Sequence, residues 1–437
     1  MNYQEAVEYL DAHIGYGMHP GPERVGELLD LMGHPQQSYP IIHVAGSNGK
    51  TSTSRIASML LVAHGLTTGT FTSPHLERVE ERLALNGVDA SHEQFAEAVS
   101  DVAAFADLYN ARTGVNLSYF ELTTAAAFAW FAAEAAAAAV VEVGLGGRLD
   151  ATNAATGQVA IVTSISLEHR EYLGDTIGAI ASEKAAIAKP GSTVVTGHLE
   201  DDARRAVARR AAEVGAPLFQ IDKDFGIDEA ELGIGGWLCE VAGIHWSYPD
   251  VFLPLRGRHQ TANLAVAVAA TECLLGRSLD PQAVIDGAAA VRSPGRMELF
   301  PGGPMVLLDG AHNTEGFQIL ADALSEEFPS TKWVLVFGTM NDKEPDAMFR
   351  HLRGRVTKVV CTAIDNPRSF DPAELAAIAT DALSAPAEHY RDPREALARA
   401  TVHAGPDGAV LVAGSLYLVG AVRAAVLGSE APQRNER

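Results

Sequence analysis

The chain has 437 residues, enough to bury a large core and to build two or three domains. Its 33 Lys and Arg face 55 Asp and Glu, a formal charge of −22, which argues against a general binder of nucleic-acid phosphates while leaving room for a local basic pocket. The three cysteines, Cys239, Cys273 and Cys361, are far apart and show no CxxC or Cys/His ligand spacing, so they read as buried or free thiols in a reducing compartment.

The start, MNYQEAVEYLDAHI, lacks the basic flank and apolar run of a signal peptide and reads as an amphipathic helix; with no targeting or lipidation signal, the expected location is cytoplasmic. Residues 40–65, PIIHVAGSNGKTSTSRIASMLLVAHG, read as an apolar strand, a glycine loop ending in Lys50-Thr51, and a helix. Gly46 and Gly49 permit close backbone approach, the amides opening the helix can face a polyphosphate, Lys50 supplies charge and Thr51 a hydroxyl for Mg²⁺. Val44 stands where the first glycine of a full Walker A pattern would be. The loop FTSPHLERVEERLALNG (71–87) is proline-broken and charged, either a mobile lid or a solvated connection. The alanine-rich stretch 122–144 is interrupted by Glu134 and reads as a buried helix running into a strand, with no membrane partner.

Strand-like runs at 41–46, 68–73, 140–144, 159–165 and 192–197 alternate with helical patterns, which predicts a largely parallel sheet covered on both faces. Between Trp237 and Arg258 short strands suggest a small antiparallel hairpin region, and 259–275 returns to helix. The Pro-Gly break in RSPGRME (292–298) marks a domain boundary, dividing the chain into 1–294 and 295–437. Beyond it, strands at 305–310, 333–339, 358–363 and 409–415 make a second doubly wound domain. Ligands of such sheets sit at the carboxyl ends of strands, where Gly46 to Thr51, Glu142, Asp309 to Asn313 and Gly414-Ser415 all fall, so a cleft between the domains could collect them.

Three segments look like parts of one metal and acid site. In VVEVGLGGRLDATN (140–153), Glu142 interrupts an apolar strand, where a carboxylate needs a partner; either Arg148 or a hard metal ion would serve. In SISLEHREYLGDT (164–176), His169 follows a strand end, where a histidine commonly caps or faces water. In SEKAAIAKPG (182–191), Lys184 taken alone reads as solvent-facing. Elsewhere, Asp309 and His312 in LLDGAHNTEG suit ribose or phosphate contacts, against helix capping by Asn313 or Thr314. The spacing of Gln260 and Asn263 puts both amides on one helix face.

Taken in order, HVAGSNGKTS, FTSPHLERVEER, EVGLGGRLDATN, LGDTIGAIASEKAAI, LDGAHN and GSLYLVG resemble the Mur ligase superfamily and, within it, the folylpolyglutamate synthase/dihydrofolate synthase family. The resemblance spans nearly the whole chain. It implies an α/β fold, with a Mur-ligase-type ATPase domain carrying a small antiparallel region and a smaller Rossmann-like C-terminal domain. The implied activity is ATP-dependent ligation of L-glutamate to a folate carboxylate, with dihydropteroate as a further acceptor, by a monomer that binds neither nucleic acid nor membrane. It also implies that Gly46, Ser47, Asn48, Gly49, Lys50, Thr51 and Ser52 hold the ATP phosphates; that Thr51, Glu142, His169 and Lys184, the last carbamylated by CO₂, surround Mg²⁺; that Asn263, Arg296, Asp309 and His312 contact ATP; and that Ser73, Pro74 and His75 form a lid near the pterin or phosphates. Lys50, Lys184, His169 and Glu142 would carry the catalysis.

The chain departs from the family pattern at Ser47 for Thr, Thr51 for Gly, Glu168 for the Asp before the histidine, and Ala186 for Gly. Neither Glu168 nor Ala186 is expected to touch an assigned ligand. The rival readings are a Mur-type ligase acting on a peptidoglycan precursor and a nucleotide-binding regulator without catalysis.

Overall fold

The structure, a computed structural model, describes residues 1–14 and 21–428. The described chain forms two compact units, residues 1–254 with 260–292, and residues 255–259 with 293–437. The sequence places one boundary, after residue 294; the short segment 255–259 belongs instead with the second unit.

The first unit is built on β1 (Ile41–Ala45), β2 (Thr68–Phe71), β3 (Leu83–Leu85), β4 (Val88–Asp89), β5 (Ala138–Glu142), β6 (Val159–Val162), β7 (Thr193–Thr196) and β8 (Leu218–Gln220). They lie in the order β4-β3-β2-β5-β1-β6-β7-β8. From β2 to β8 the pairing is parallel, with β3 and β4 added antiparallel at one edge. Every residue of β1, β2, β5 and β6 is buried, as expected for parallel strands covered on both faces, where an unbroken apolar run satisfies both sides. The alanine-rich stretch is the helix Tyr119–Ala133 followed by β5, and among the described residues no helix is long and apolar enough to cross a membrane.

The antiparallel region is larger than the sequence suggests: β9 (Gly226–Gly233), β10 (Gly236–Ala242) and β11 (Ser247–Leu253) form a three-stranded sheet. Trp237, Cys239 and Val241 alternate inward along β10. Buried Glu272, on the helix His259–Leu275, accepts from the amides of Ile244 and His245 and from the Tyr248 hydroxyl, pinning the hairpin to that helix.

In the second unit, β12 (Glu298–Phe300), β13 (Met305–Leu308), β14 (Trp333–Phe337), β15 (Val356–Thr362), β16 (Ala387–Tyr390) and β17 (Ala409–Ala413) lie in the order β12-β13-β17-β14-β15-β16. All pairs are parallel except β12 with β13. Its own core joins Leu307, Phe317, Trp333, Phe337, Phe349 and Leu411, so each unit has an independent apolar interior.

Candidate active site

The loop after β1 is shaped by contacts to the segment following β6. The amide of Ser47 donates to Ser164 O at 2.8 Å, that of Asn48 to Ser164 Oγ at 3.0 Å, and Thr163 Oγ1 donates to Asn48 O at 2.7 Å. A side chain on Gly46 would run into the Thr163 hydroxyl, and Gly49, with φ +83°, would place one against Asn263 Oδ1. Gly49 therefore opens the helix Lys50–Ala63 with no side-chain cap. The first amides of that helix have no carbonyl a turn before them, which leaves an anion-binding end facing the loop.

Two lysines converge on one carbonyl there. Lys50 Nζ donates to Gly46 O at 2.9 Å and to Ser47 O at 3.2 Å; Lys184 Nζ also donates to Gly46 O at 2.9 Å. Lys184 is buried, 2 % exposed, which corrects its reading as solvent-facing. It lies four residues after Ile180 on the buried face of the helix Ile177–Ala185. Burial pushes its ammonium below the usual lysine range, Glu168 pulls it back up, and Lys50 pushes it down again.

Glu168 supplies the balancing charge, with Oε1 2.9 Å from Lys184 Nζ. This is a second correction: a residue expected to touch no assigned ligand is the direct partner of one. Burial works to raise the Glu168 carboxyl, but Lys184 and Lys50 outweigh it and hold the group down at about 2. His169, exposed and left-handed at φ +46°, begins the short helix Arg170–Leu173, and its charge also bears on Glu168.

At the end of β5, Glu142 is buried and Thr51 Oγ1 donates to its Oε1 at 2.9 Å. Arg148, the alternative partner, pairs with Glu183. Among the described residues no three His, Cys, Asp or Glu side chains gather as a ready ligand set. The Thr51 hydroxyl and Glu142 carboxylate are oxygen donors of the kind a hard cation takes, so they fit Mg²⁺ drawing its other ligands from phosphate oxygens and water. Asn263 Nδ2 donates to Gln260 Oε1 at 2.9 Å, as their spacing requires.

The 71–87 loop is internally bonded. Glu81 accepts from the amides of Leu76, Glu77 and Arg78 at 2.8, 2.9 and 2.7 Å, and Arg82 Nε donates to His75 Nδ1 at 3.0 Å. Ser73 is buried at its base.

In the second unit, Asp309 follows β13 and accepts from the amides of Met297 and Ala311 at 2.9 and 2.8 Å. Burial raises its carboxyl and Arg296 lowers it. His312 Nδ1 is 2.8 Å from Gly310 O, and Asn313 caps the helix Thr314–Glu327. Ser415 caps the helix Leu416–Val426 directly after β17. These groups share the carboxyl edge of the second sheet.

Two family models cover this arrangement. Residues 44–271 match the Mur ligase middle domain, and residues 295–416 match the Mur ligase, glutamate ligase domain. The chain belongs to the Mur ligase superfamily. It is 35% identical to the dihydrofolate synthase/folylpolyglutamate synthase of Mycobacterium tuberculosis, over 92% of this chain and 89% of that one. It is 34% identical to the folylpolyglutamate synthase of Lacticaseibacillus casei, over 98% of this chain and all of that one. The structure of Mycobacterium tuberculosis folylpolyglutamate synthase complexed with ADP matches with a TM-score of 0.93 at 34% identity, covering 98% of this chain and 99% of that one. Within the superfamily the chain is thus homologous to the folylpolyglutamate/dihydrofolate synthases, and the mixed α/β architecture agrees with theirs.

The sequence reading missed Glu168, Glu81 and Arg82 as partners of the site. A usable signal existed for Lys184, its register with Ile180; for Glu168 the local sequence gives none.

Proposed function

We propose that this chain ligates L-glutamate to a folate carboxylate at the expense of ATP, releasing ADP and phosphate, and that it accepts both dihydropteroate and reduced folate. The observation that carries this reading is the junction of Lys50, Lys184 and Gly46 at an uncapped helix end, beside Thr51 and the buried Glu142 to which it donates. It is a site built for a polyphosphate next to a cation. One relative carries both activities in its name, and a solved relative holds ADP.

A carboxylate is a poor acyl donor because its leaving group would be oxide. Transfer of the γ-phosphoryl group gives an acyl phosphate, and attack by the glutamate amine then expels phosphate. Lys50 would hold the transferring oxygens while Gly46 to Ser52 would cradle the chain of phosphates. Bound at Thr51 and Glu142, with His169 as a further ligand, Mg²⁺ would neutralise phosphate charge. Asn263, Arg296, Asp309 and His312 are assigned to ATP, and Ser73, Pro74 and His75 to the wall around the folate.

Carbamylation of Lys184 by CO₂ belongs to the same proposal. It would replace the cation beside Glu168 with a second anion, so the pair would require a metal ion between or beside them. Cys239, Cys273 and Cys361, none of them in a disulfide, suit a reducing cytoplasm, and we assign the activity to a monomer there.

The test is product analysis by mass spectrometry with Mg-ATP, L-glutamate and either dihydropteroate or tetrahydrofolate. One glutamate on dihydropteroate and a ladder on tetrahydrofolate are expected. ATP consumption with neither product formed would move the chain to another acceptor.

A further inference from the structure

The turn Val79–Arg82 carries three consecutive charged residues, Glu80, Glu81 and Arg82, each aimed at a different part of the loop's surroundings. Glu80, 1 % exposed, lies 3.3 Å from the loop's own Arg78 Nε and also reaches two helices outside the loop. It accepts from the Tyr3 hydroxyl at 2.8 Å and lies 3.2 Å from His92 Nε2, and Tyr3 stacks on His92 with ring centroids 3.9 Å apart. The turn is thereby anchored to the helices Tyr3–Asp11 and His92–Thr113.

Glu81 serves the loop backbone. Its two carboxylate oxygens take three successive backbone amides, Leu76 to Arg78, just past Ser73-Pro74-His75. Hydrogen bonds to an ionised acceptor are the strong kind, and a neutral amide side chain has one acceptor oxygen with which to replace two. The strand ends below are tied by the Thr72 amide donating to Arg82 O at 3.1 Å.

Arg82 acts on the ring. A guanidinium has donors and no acceptor, so the contact from Nε to His75 Nδ1 requires that nitrogen to be the bare acceptor. The ring is therefore neutral and carries its proton on Nε2. Arg82 is itself held, buried and with its guanidinium 5.2 Å from the centroid of the Tyr119 ring.

We propose that Glu81 and Arg82 are positioning residues for the folate substrate: Glu81 fixes the backbone that follows Ser73–His75, and Arg82 fixes His75 as a neutral Nε2–H donor. A neutral donor can serve an uncharged carbonyl or ring-nitrogen acceptor of the heterocyclic substrate, without the positive charge that an imidazolium would offer the ATP phosphates. The proposal rests on the reading of Ser73 to His75 as the wall around the folate.

Three measurements on the full chain test it. Amide exchange followed by mass spectrometry should show the 72–82 peptide of Glu81→Gln exchanging about tenfold faster or more, with β1 and β5 unchanged. Nitrogen-15 NMR of labelled histidine should report the Nε2–H tautomer for His75 in the wild type and in Arg82→Lys, and its loss in Arg82→Met. With whichever of dihydropteroate or tetrahydrofolate the wild type uses, Glu81→Gln and Arg82→Met should raise the KM for that substrate by about tenfold or more, leave the KM for ATP unchanged, and be partly rescued in Arg82→Lys. An unchanged tautomer in Arg82→Met, or equal shifts in both KM values, would overturn the proposal. Exchange and tautomer do not depend on turnover, so they decide the positioning even if the wild type ligates neither substrate, a result that would instead overturn the functional reading.

Discussion

Lys50 and Lys184 both donate to Gly46 O at 2.9 Å, and Glu168 is the carboxylate that faces them. Lys50→Ala removes one cation from the loop after β1 while leaving the buried pair intact. ADP formation should fall by about 100-fold or more with the melting temperature unchanged; turnover at the wild-type rate would remove Lys50 from its assigned role. Glu168→Gln acts differently: in the uncarbamylated chain, where Lys184 is an ammonium, it strands that buried cation. A loss of about 3–5 kcal/mol is expected at neutral pH, read from urea denaturation, and Lys184→Met in the same chain should recover much of it. The sign of the pH dependence follows from the depressed Glu168 carboxyl, at about 2. Its contribution is fully present above the unfolded value of about 4.3 and is lost as pH falls through about 2. The gap between wild type and Glu168→Gln should therefore close between those limits. Lys50 and Thr51 were legible in the sequence because they end a glycine loop between an apolar strand and a helix, and Glu142 because it interrupts an apolar strand. Glu168 was not: its burial comes from a helix that begins nine residues later, at Ile177, and no local pattern reports that.

The helix Ile177–Ala185 and the 144–150 loop meet by backbone. Arg148 N donates to Glu183 O at 2.8 Å, and a Cβ on Gly147 would lie 2.7 Å from Glu183 O and 2.9 Å from Lys184 O. Gly147→Ala must push the helix off the loop that follows β5, moving Lys184 with it. A stability loss of about 1–3 kcal/mol should accompany a fall in ligation rate. Gly178→Ala, in the same helix, meets nothing within 4 Å, so it should stabilise by about 0.5–1 kcal/mol through helix propensity. Melting curves of the two variants should thus move in opposite directions. The buried strands were legible as unbroken apolar runs. By contrast β9, GIDEAELG, buries only Gly226, so it offered no periodic apolar signal and was found only through its pairing with β10. The 71–87 loop reads as charged and proline-broken, yet Glu81 spends its charge on the loop's own amides, a use of polarity that composition does not distinguish from solvation.

For the whole molecule, the division into two units raises the question of what residues 255–259 do for the second. Arg256 Nη1 lies 2.8 Å from Glu327 Oε2, Gly257 N donates to the other oxygen, and the Arg256 guanidinium sits 5.5 Å from the centroid of the Phe328 ring. The Glu327 side chain is 1% exposed, so this segment neutralises a buried carboxylate at the end of the helix Thr314–Glu327. A fragment of residues 293–437 keeps its own sheet and core and should fold, but with Glu327 deprived of its Arg256 and Gly257 partners. Removing that charge must then have opposite signs in two contexts. In the full chain, Glu327→Gln weakens a paired, hydrogen-bonded site and should lower the urea midpoint. In the fragment it relieves an unpaired carboxylate and should raise it, by an amount on the order of 1–3 kcal/mol. A loss of stability in both contexts would show that Glu327 is satisfied from within residues 293–437 and that the segment 255–259 is not the source of its compensation.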